Sequence, residues 1–221
     1  MIAEALINPL IPTLQPSDTA QSALKQMENL HLQCLPVVEK DTYQGFVSEN
    51  TLLNLSNAKR PISGLALDGS EAYVNNTQHL YDVLRTSAQY KTDLVAVLDE
   101  KQQYMGSITA QDLVNTLSSS YSIQQNGGIL VLSIFERDYS LSEITRLVES
   151  NNAKVLNAVV DSDPTDHNKM FLTLKINQSD LSRVVATLER FSYQVVELYH
   201  QAQTQSIDKE RLDMLFRFLN I

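Results

Sequence analysis

The stretch Gly106-Ser107-Ile108-Thr109-Ala110-Gln111-Asp112 collects residue types that can hold a hydroxylated ligand. Thr109 sits at a helix start, where its hydroxyl can cap an orphan amide or meet a ligand. Asp112 follows three residues later, one helical turn on and on the same side. A carboxylate there accepts two hydrogen bonds, which suits the vicinal hydroxyls of a ribose. Gly106 lets its strand approach a ligand or a neighbouring strand closely. The same residues also make an ordinary helix cap, since Thr and Asp are favoured there with or without a ligand, and at this level both readings stand. A weaker copy of the pattern runs from Gly45 to Thr51. Ser48 takes the hydroxyl position, but Thr51 fills the acidic one and Glu49 comes too soon to replace it. One hydroxyl stands where a carboxylate would offer two charged acceptors, so this half-site is degraded.

Other chemistries find no support. His31, His79, His167 and His200 are scattered and lack metal-ligand spacing. There is no Gly-rich loop ending in Gly-Lys-Ser/Thr and no nucleophile elbow. The run Asp161-Ser162-Asp163-Pro164-Thr165-Asp166 reads as a solvated hairpin turn rather than a cation loop, because it contains Pro and no Glu follows in register. The expectation is a protein that is not an enzyme, with no catalytic residues and no metal.

The elements that must position these residues occur twice. Pro16-Ser17-Asp18 starts a helix whose apolar face is Ala20, Ala23, Leu24, Met27 and Leu30, after a short strand at 11–15. Leu35-Pro36-Val37-Val38 and Gly45-Phe46-Val47 are strands, and Leu52, Leu53 and Leu55 mark a second helix. About sixty residues later the order returns, with Tyr73-Val74, a helix on Leu80, Val83 and Leu84, strands Val95–Leu98 and Tyr104–Ile108, and a helix on Leu113, Val114 and Leu117.

This duplicated unit resembles the CBS domain family, whose copies pair into a Bateman module. The likeness rests on Leu35–Val38 with Gly45–Ser48 in one copy and on Gly106–Asp112 in the other, over about residues 1–120. It implies CBS domain 1 at 1–60 and CBS domain 2 at 61–120. It also implies a regulatory ligand of the AMP, ATP or S-adenosylmethionine class, bound through Gly106, Ser107, Thr109, Asp112, Tyr73 and Asp93, with Ser48 and Thr51 as the degenerate second site. Many nucleotide-binding members carry a basic residue or a His just before the Leu-Pro-Val strand. Here Gln33-Cys34 and Asp93-Leu94 stand there, with Lys91 the nearby cation, so a polyphosphate lacks fixed partners and a lightly charged adenosine-type ligand is expected.

A Ser- and Gly-rich linker, 121–128, separates this half from a second pattern. The β run 129–135, a helix opened by Ser140 with Glu143, strands at 155–160 and 170–176, a helix on Leu181, Val184, Val185 and Leu188, and a strand at 193–198 give βαββαβ, a ferredoxin-like order. After a CBS pair it looks like an ACT domain, at 129–200. That family's ligand loop carries an acid and, after two residues, Gly. Here Glu136-Arg137-Asp138-Tyr139-Ser140 places a bulky Tyr139 at the glycine position, within the loop Asp138-Tyr139-Ser140, which favours dimerisation over amino-acid binding. Residues 207–221 read as an amphipathic helix with Leu212, Leu215, Phe216 and Leu219 in its stripe.

The fold class expected is therefore α/β (α+β). Across 221 residues the net charge is −9 and no basic cluster occurs, which argues against nucleic acid. No apolar run is long enough to span a bilayer, no basic leader opens the chain, and Cys34 stands alone, which excludes an internal disulfide. The reading is a cytoplasmic homodimer that does not engage membranes and regulates an unknown protein. The alternative is a ligand-free dimeric scaffold with decayed pockets.

Overall fold

The computed structural model describes residues 1–55 and 57–199. The chain divides into two compact units, Met1–Ser118 and Ser119–Ile221. It is a mixed α/β protein.

In the first unit, helix α1 (Ala20–Leu30), the hairpin β1 (Cys34–Glu39) and β2 (Thr42–Ser48), and helix α2 (Glu49–Leu53) form one copy. Strand β3 (Tyr73–Asn75), α3 (Leu80–Tyr90), the hairpin β4 (Leu94–Leu98) and β5 (Tyr104–Thr109), and α4 (Ala110–Ser118) form the other. β3 runs parallel to β4, and β4 antiparallel to β5. The strand expected at 11–15 is reduced to one parallel bridge between Leu14 and Val37, since Pro9, Pro12 and Pro16 leave few amides there for a ladder.

Helix starts follow their side chains. Thr19 caps α1 through the Ser22 amide, and His79 caps α3 in a reciprocal box with Asp82. α1 and α3 both end on left-handed residues, His31 (φ 53°) and Lys91 (φ 49°). Two of the histidines thus serve as helix caps.

The copies are interleaved. The first core contains Leu14, Met27, Leu35, Val47 and Leu52, together with Ile62, which comes sixty residues after the chain start. The second contains Val74, Val83, Val95 and Ile108, together with Ala3 and Leu6 from the N-terminal 3-10 turn. Antiparallel bridges repeat the exchange, with Ile2 on His79 and Pro61 on Thr19. The boundary at 60/61 is therefore corrected: each copy is closed by the segment that precedes the other in sequence. Tyr43, Phe46, Ala72, Leu94, Ala96 and Leu98 form the core where the two copies meet. Tyr43 and Tyr104 stack there with ring centroids 6.2 Å apart.

The second unit has β6 (Gly128–Phe135), α6 (Leu141–Glu149), β7 (Val155–Ser162), β8 (Lys169–Ile176), α7 (Ser182–Arg190) and β9 (Gln194–Tyr199). The sheet order β7-β8-β6-β9, all antiparallel, is the ferredoxin-like arrangement. Leu130, Leu132, Leu172 and Leu174 alternate onto one face and pack beneath Ile144, Leu147, Val184 and Leu188 of α6 and α7. The linker expected at 121–128 holds a short helix, α5 (Tyr121–Gln124), and the unit boundary falls before it, at Ser118/Ser119. The tail read as helix 207–221 lies outside the described residues. Among those described, no helix is long and apolar enough to cross a membrane.

Candidate functional site

The hairpin turns of the first unit bring the two Gly-to-helix motifs into comparable settings. β2 delivers Ser48 to the start of α2, and β5 delivers Thr109 to the start of α4. In each, a chain segment from the exchanged end lies beside the motif glycine. Asn8 donates its amide to the Ser107 carbonyl at 2.9 Å, and Asp68 donates its own to the Phe46 carbonyl at 2.8 Å. A Cβ on Gly106 would collide with Cγ2 of Ile7, and one on Gly45 would lie 2.8 Å from the Asp68 carbonyl. The motif glycines thus admit the protein's own backbone and side chains.

Thr109 and Asp112 cap α4 reciprocally. The Asp112 carboxylate accepts from the Thr109 amide at 3.0 Å and hydroxyl at 2.6 Å, while the Asp112 amide donates to the Thr109 hydroxyl at 3.0 Å. Asn8 Nδ2 also donates to both carboxylate oxygens, at 3.2 and 3.1 Å. Asn8 Oδ1 accepts from the Leu10 amide at 3.0 Å, which fixes which end of the carboxamide faces the acid. Ser107 is fully buried and shares a 2.8 Å hydrogen bond with the Tyr104 hydroxyl. Gly106, Ser107, Thr109 and Asp112 thus come together, but with Ile7 and Asn8 laid over them. Tyr73 pairs with Ala96 on β3 and lies outside this group.

The open cavity lies at the other motif. A cleft of about 560 Å³ is walled by Phe46, Ser48, Glu49 and Asn50 from the first copy, by Gln33 and Cys34 at the start of β1, by Tyr90, Lys91, Thr92 and Asp93 from the second copy, and by Asp68 and Gly69 between them. Asp93 therefore belongs with Ser48 rather than with Thr109. Ser48 Oγ lies 2.8 Å from Thr51 Oγ1, so the hydroxyl at the acidic position is held by its neighbour.

The wall is rigidly set. Asp68 exchanges two backbone hydrogen bonds with Phe46, at 2.7 and 2.8 Å. Gly69 adopts φ +60°, and a Cβ there would come 2.8 Å from the Phe46 ring. The Tyr43 hydroxyl donates to the Gly69 carbonyl at 2.7 Å. On the opposite side Thr92 Oγ1 brackets Leu94, accepting its amide and donating to its carbonyl. The Asp93 carbonyl accepts the Ala110 amide at 2.8 Å, tying the wall to the start of α4.

Three carboxylates, Glu49, Asp68 and Asp93, face one ammonium, Lys91. The Cys34 thiol registers this field: burial, then Asp93, then Asp68 push its pKa up to about 11. Burial also pushes Tyr104 up to about 12. The sequence names Ser48 only as a degenerate half-site and Asp93 with Thr109 and Asp112, and leaves Asp68, Tyr90 and Asn8 unmarked. The sixty-residue offset between Asn8 and Asp68 is the signal that would have found two of them.

In the second unit, Ser140 caps α6 through the Glu143 amide at 3.4 Å. Tyr139 has φ −71° and packs against the core. Asp138 lies with Glu143 and Tyr193 on the wall of a cleft of about 500 Å³.

Residues 3–57 match the CBS domain family. Three solved structures are similar to part of the chain. A CBS domain pair/ACT domain protein from Thermotoga maritima is 18% identical, with 53% of this chain and 96% of that one covered, at a TM-score of 0.49. The protein MJ1004 from Methanocaldococcus jannaschii is 23% identical over 55% of this chain and 62% of its own, at 0.50. CBSX2 in complex with AMP is 22% identical over 52% of this chain and 95% of its own, at 0.47.

Proposed function

We propose that the first unit is a non-catalytic regulatory module that takes one adenosine-containing ligand in the cleft at Ser48, Asp68 and Asp93. The observation that carries this reading is that both copies and the segment between them build the cleft. A ligand seated there touches both halves, and its differential affinity for their alternative packings is what a sensor transmits. The cleft volume falls within the range of small-molecule sites. Tyr90 offers flanking surface for a base, and Ser48, Asp68 and Asp93 offer partners for sugar hydroxyls. The match of residues 3–57 to the CBS family supports the same reading.

The charge balance sets the order of ligands. With three carboxylates against Lys91, each added phosphate meets repulsion without a fixed partner. Adenosine and S-adenosylmethionine should therefore bind more tightly than AMP, and ATP most weakly. The ferredoxin-like unit, with Tyr139 filling its loop, serves as the ACT-like dimerisation and output element of a homodimer. A reducing, cytoplasmic setting suits Cys34, kept as a protonated thiol.

Titration calorimetry of the full chain with adenosine, S-adenosylmethionine, AMP and ATP tests the reading. One site per chain with that order of affinity is expected, with adenosine binding weakened by Asp93→Asn. No heat and no thermal shift with any of the four would overturn it. That result would leave the second reading, a dimeric scaffold, which is favoured by Asn8 already occupying the Asp112 carboxylate.

A further inference from the structure

The two copies solve the same local problem with opposite chemistry. At the second motif, the acid comes from the helix (Asp112) and the amide from the exchanged segment (Asn8). At the first, the helix supplies a hydroxyl (Thr51) and the exchanged segment supplies the acid (Asp68). Asn8 and Asp68 are equivalent positions, since each donates its amide to the residue after a motif glycine, Ser107 or Phe46. The acid has therefore changed sides between the copies.

We infer that Asp68, supplied by the segment between the copies, is the carboxylate that reads the vicinal hydroxyls of a ribose in the open cleft, while Asn8 keeps Asp112 occupied, so that the unit holds one ligand. This deepens the function proposed above and rests on it. Three observations carry the inference. Asp68 lies on the cleft wall beside Ser48, whose own acid position is Thr51. Its backbone is fixed on both sides, by Phe46 through two hydrogen bonds and by Gly69, which Tyr43 and the Phe46 ring hold. A carboxylate carried on such a fixed backbone can accept from both ribose hydroxyls, and one charge-assisted hydrogen bond is lost when the 2′-hydroxyl is missing. At the second motif, both oxygens of the equivalent acid already face the Asn8 amide, whose orientation Leu10 locks.

Matched calorimetric titrations with adenosine and 2′-deoxyadenosine on the full chain test this. The unchanged protein should prefer adenosine by tenfold or more. Asp68→Asn should reduce that preference to about twofold, whereas Asp93→Asn should weaken both ligands and keep it. Discrimination that survives in Asp68→Asn, or that collapses in Asp93→Asn instead, overturns the assignment of Asp68 while leaving the cleft as the site. No binding of either nucleoside overturns this inference together with the function it rests on. Asp112→Asn should leave both affinities unchanged, and a loss of binding there would move the site to the second motif.

Discussion

The contact between Asn8 and Asp112 can be measured apart from any ligand. One carboxamide nitrogen reaches both oxygens of a half-buried carboxylate, at 3.2 and 3.1 Å. Hydrogen bonds to charged groups are worth roughly 1.5–3 kcal/mol when well made. A single donor divided between two long contacts, with water nearby, should fall at about 1–2 kcal/mol. Asp112→Ala also removes the cap on Thr109, which contributes about 1 kcal/mol independently. A double-mutant cycle on Asn8→Ala and Asp112→Ala separates the two effects, because the cap loss cancels in the coupling term. At about 4 °C per kcal/mol for a unit of this size, Asn8→Ala alone should lower one transition by about 4–8 °C. Scanning calorimetry of the full chain reads this, and Ile144→Ala identifies the transition of the other unit. Additivity of the two variants within about 0.3 kcal/mol would refute the tether, and with it the account of why the second motif is closed.

Four further outcomes follow from the packing and the charges. Ile62 is only 2% exposed in the core of the first copy, so Ile62→Ala should cost about 2–4 kcal/mol; it should shift the same transition as Asn8→Ala, and a separate shift would show that the copies unfold independently. Cys34, raised from 9.0 to about 11, should react with iodoacetamide at pH 8 about a hundredfold more slowly than a free thiol, and a rate near that of glutathione would contradict its burial. The same raised value, with Tyr104 at about 12, stabilises the fold fully below pH 9 and loses that contribution as pH climbs toward 11 and 12; urea midpoints should fall across that window, and less steeply in Cys34→Ala. Gly127 has φ +157°, and a Cβ there would run into the Ile176 carbonyl, so Gly127→Ala should destabilise the second unit by about 2 kcal/mol or more in the same urea titration.

Much of the architecture was legible because it is periodic. Ala20, Ala23 and Met27 announce α1, and Leu130, Leu132 and Ile134 announce the inward face of β6, through spacings that burial enforces. The cap at Ser140 and the pair Thr109–Asp112 were likewise readable from residue type. What escaped was everything fixed by contacts between distant positions. Ile62 and Ala3 sit in short aperiodic stretches, and only their partners reveal which copy they close. The motif Gly106–Asp112 suggested an open site, yet Ile7 and Asn8, about a hundred residues earlier, cover it. Asp68 carried no local signal, since its importance comes from the Phe46 pairing that carries it to the cleft.

The exchange of end segments between the copies has a kinetic consequence. The second hydrophobic centre cannot be completed from a contiguous sixty-residue stretch, because Ala3 must reach Val74 and Ile108, whereas the first closes within the span from Leu14 to Ile62. Closing loops of that length precedes the contacts that reward it, which raises the entropic barrier and the contact order. The duplicated half should therefore pass its transition state as one cooperative body, more slowly than two autonomous sixty-residue modules. On a ribosome, the first copy could close once Ile62 had emerged, while the N-terminal turn with Ala3 and Leu6 would wait for the second copy it completes.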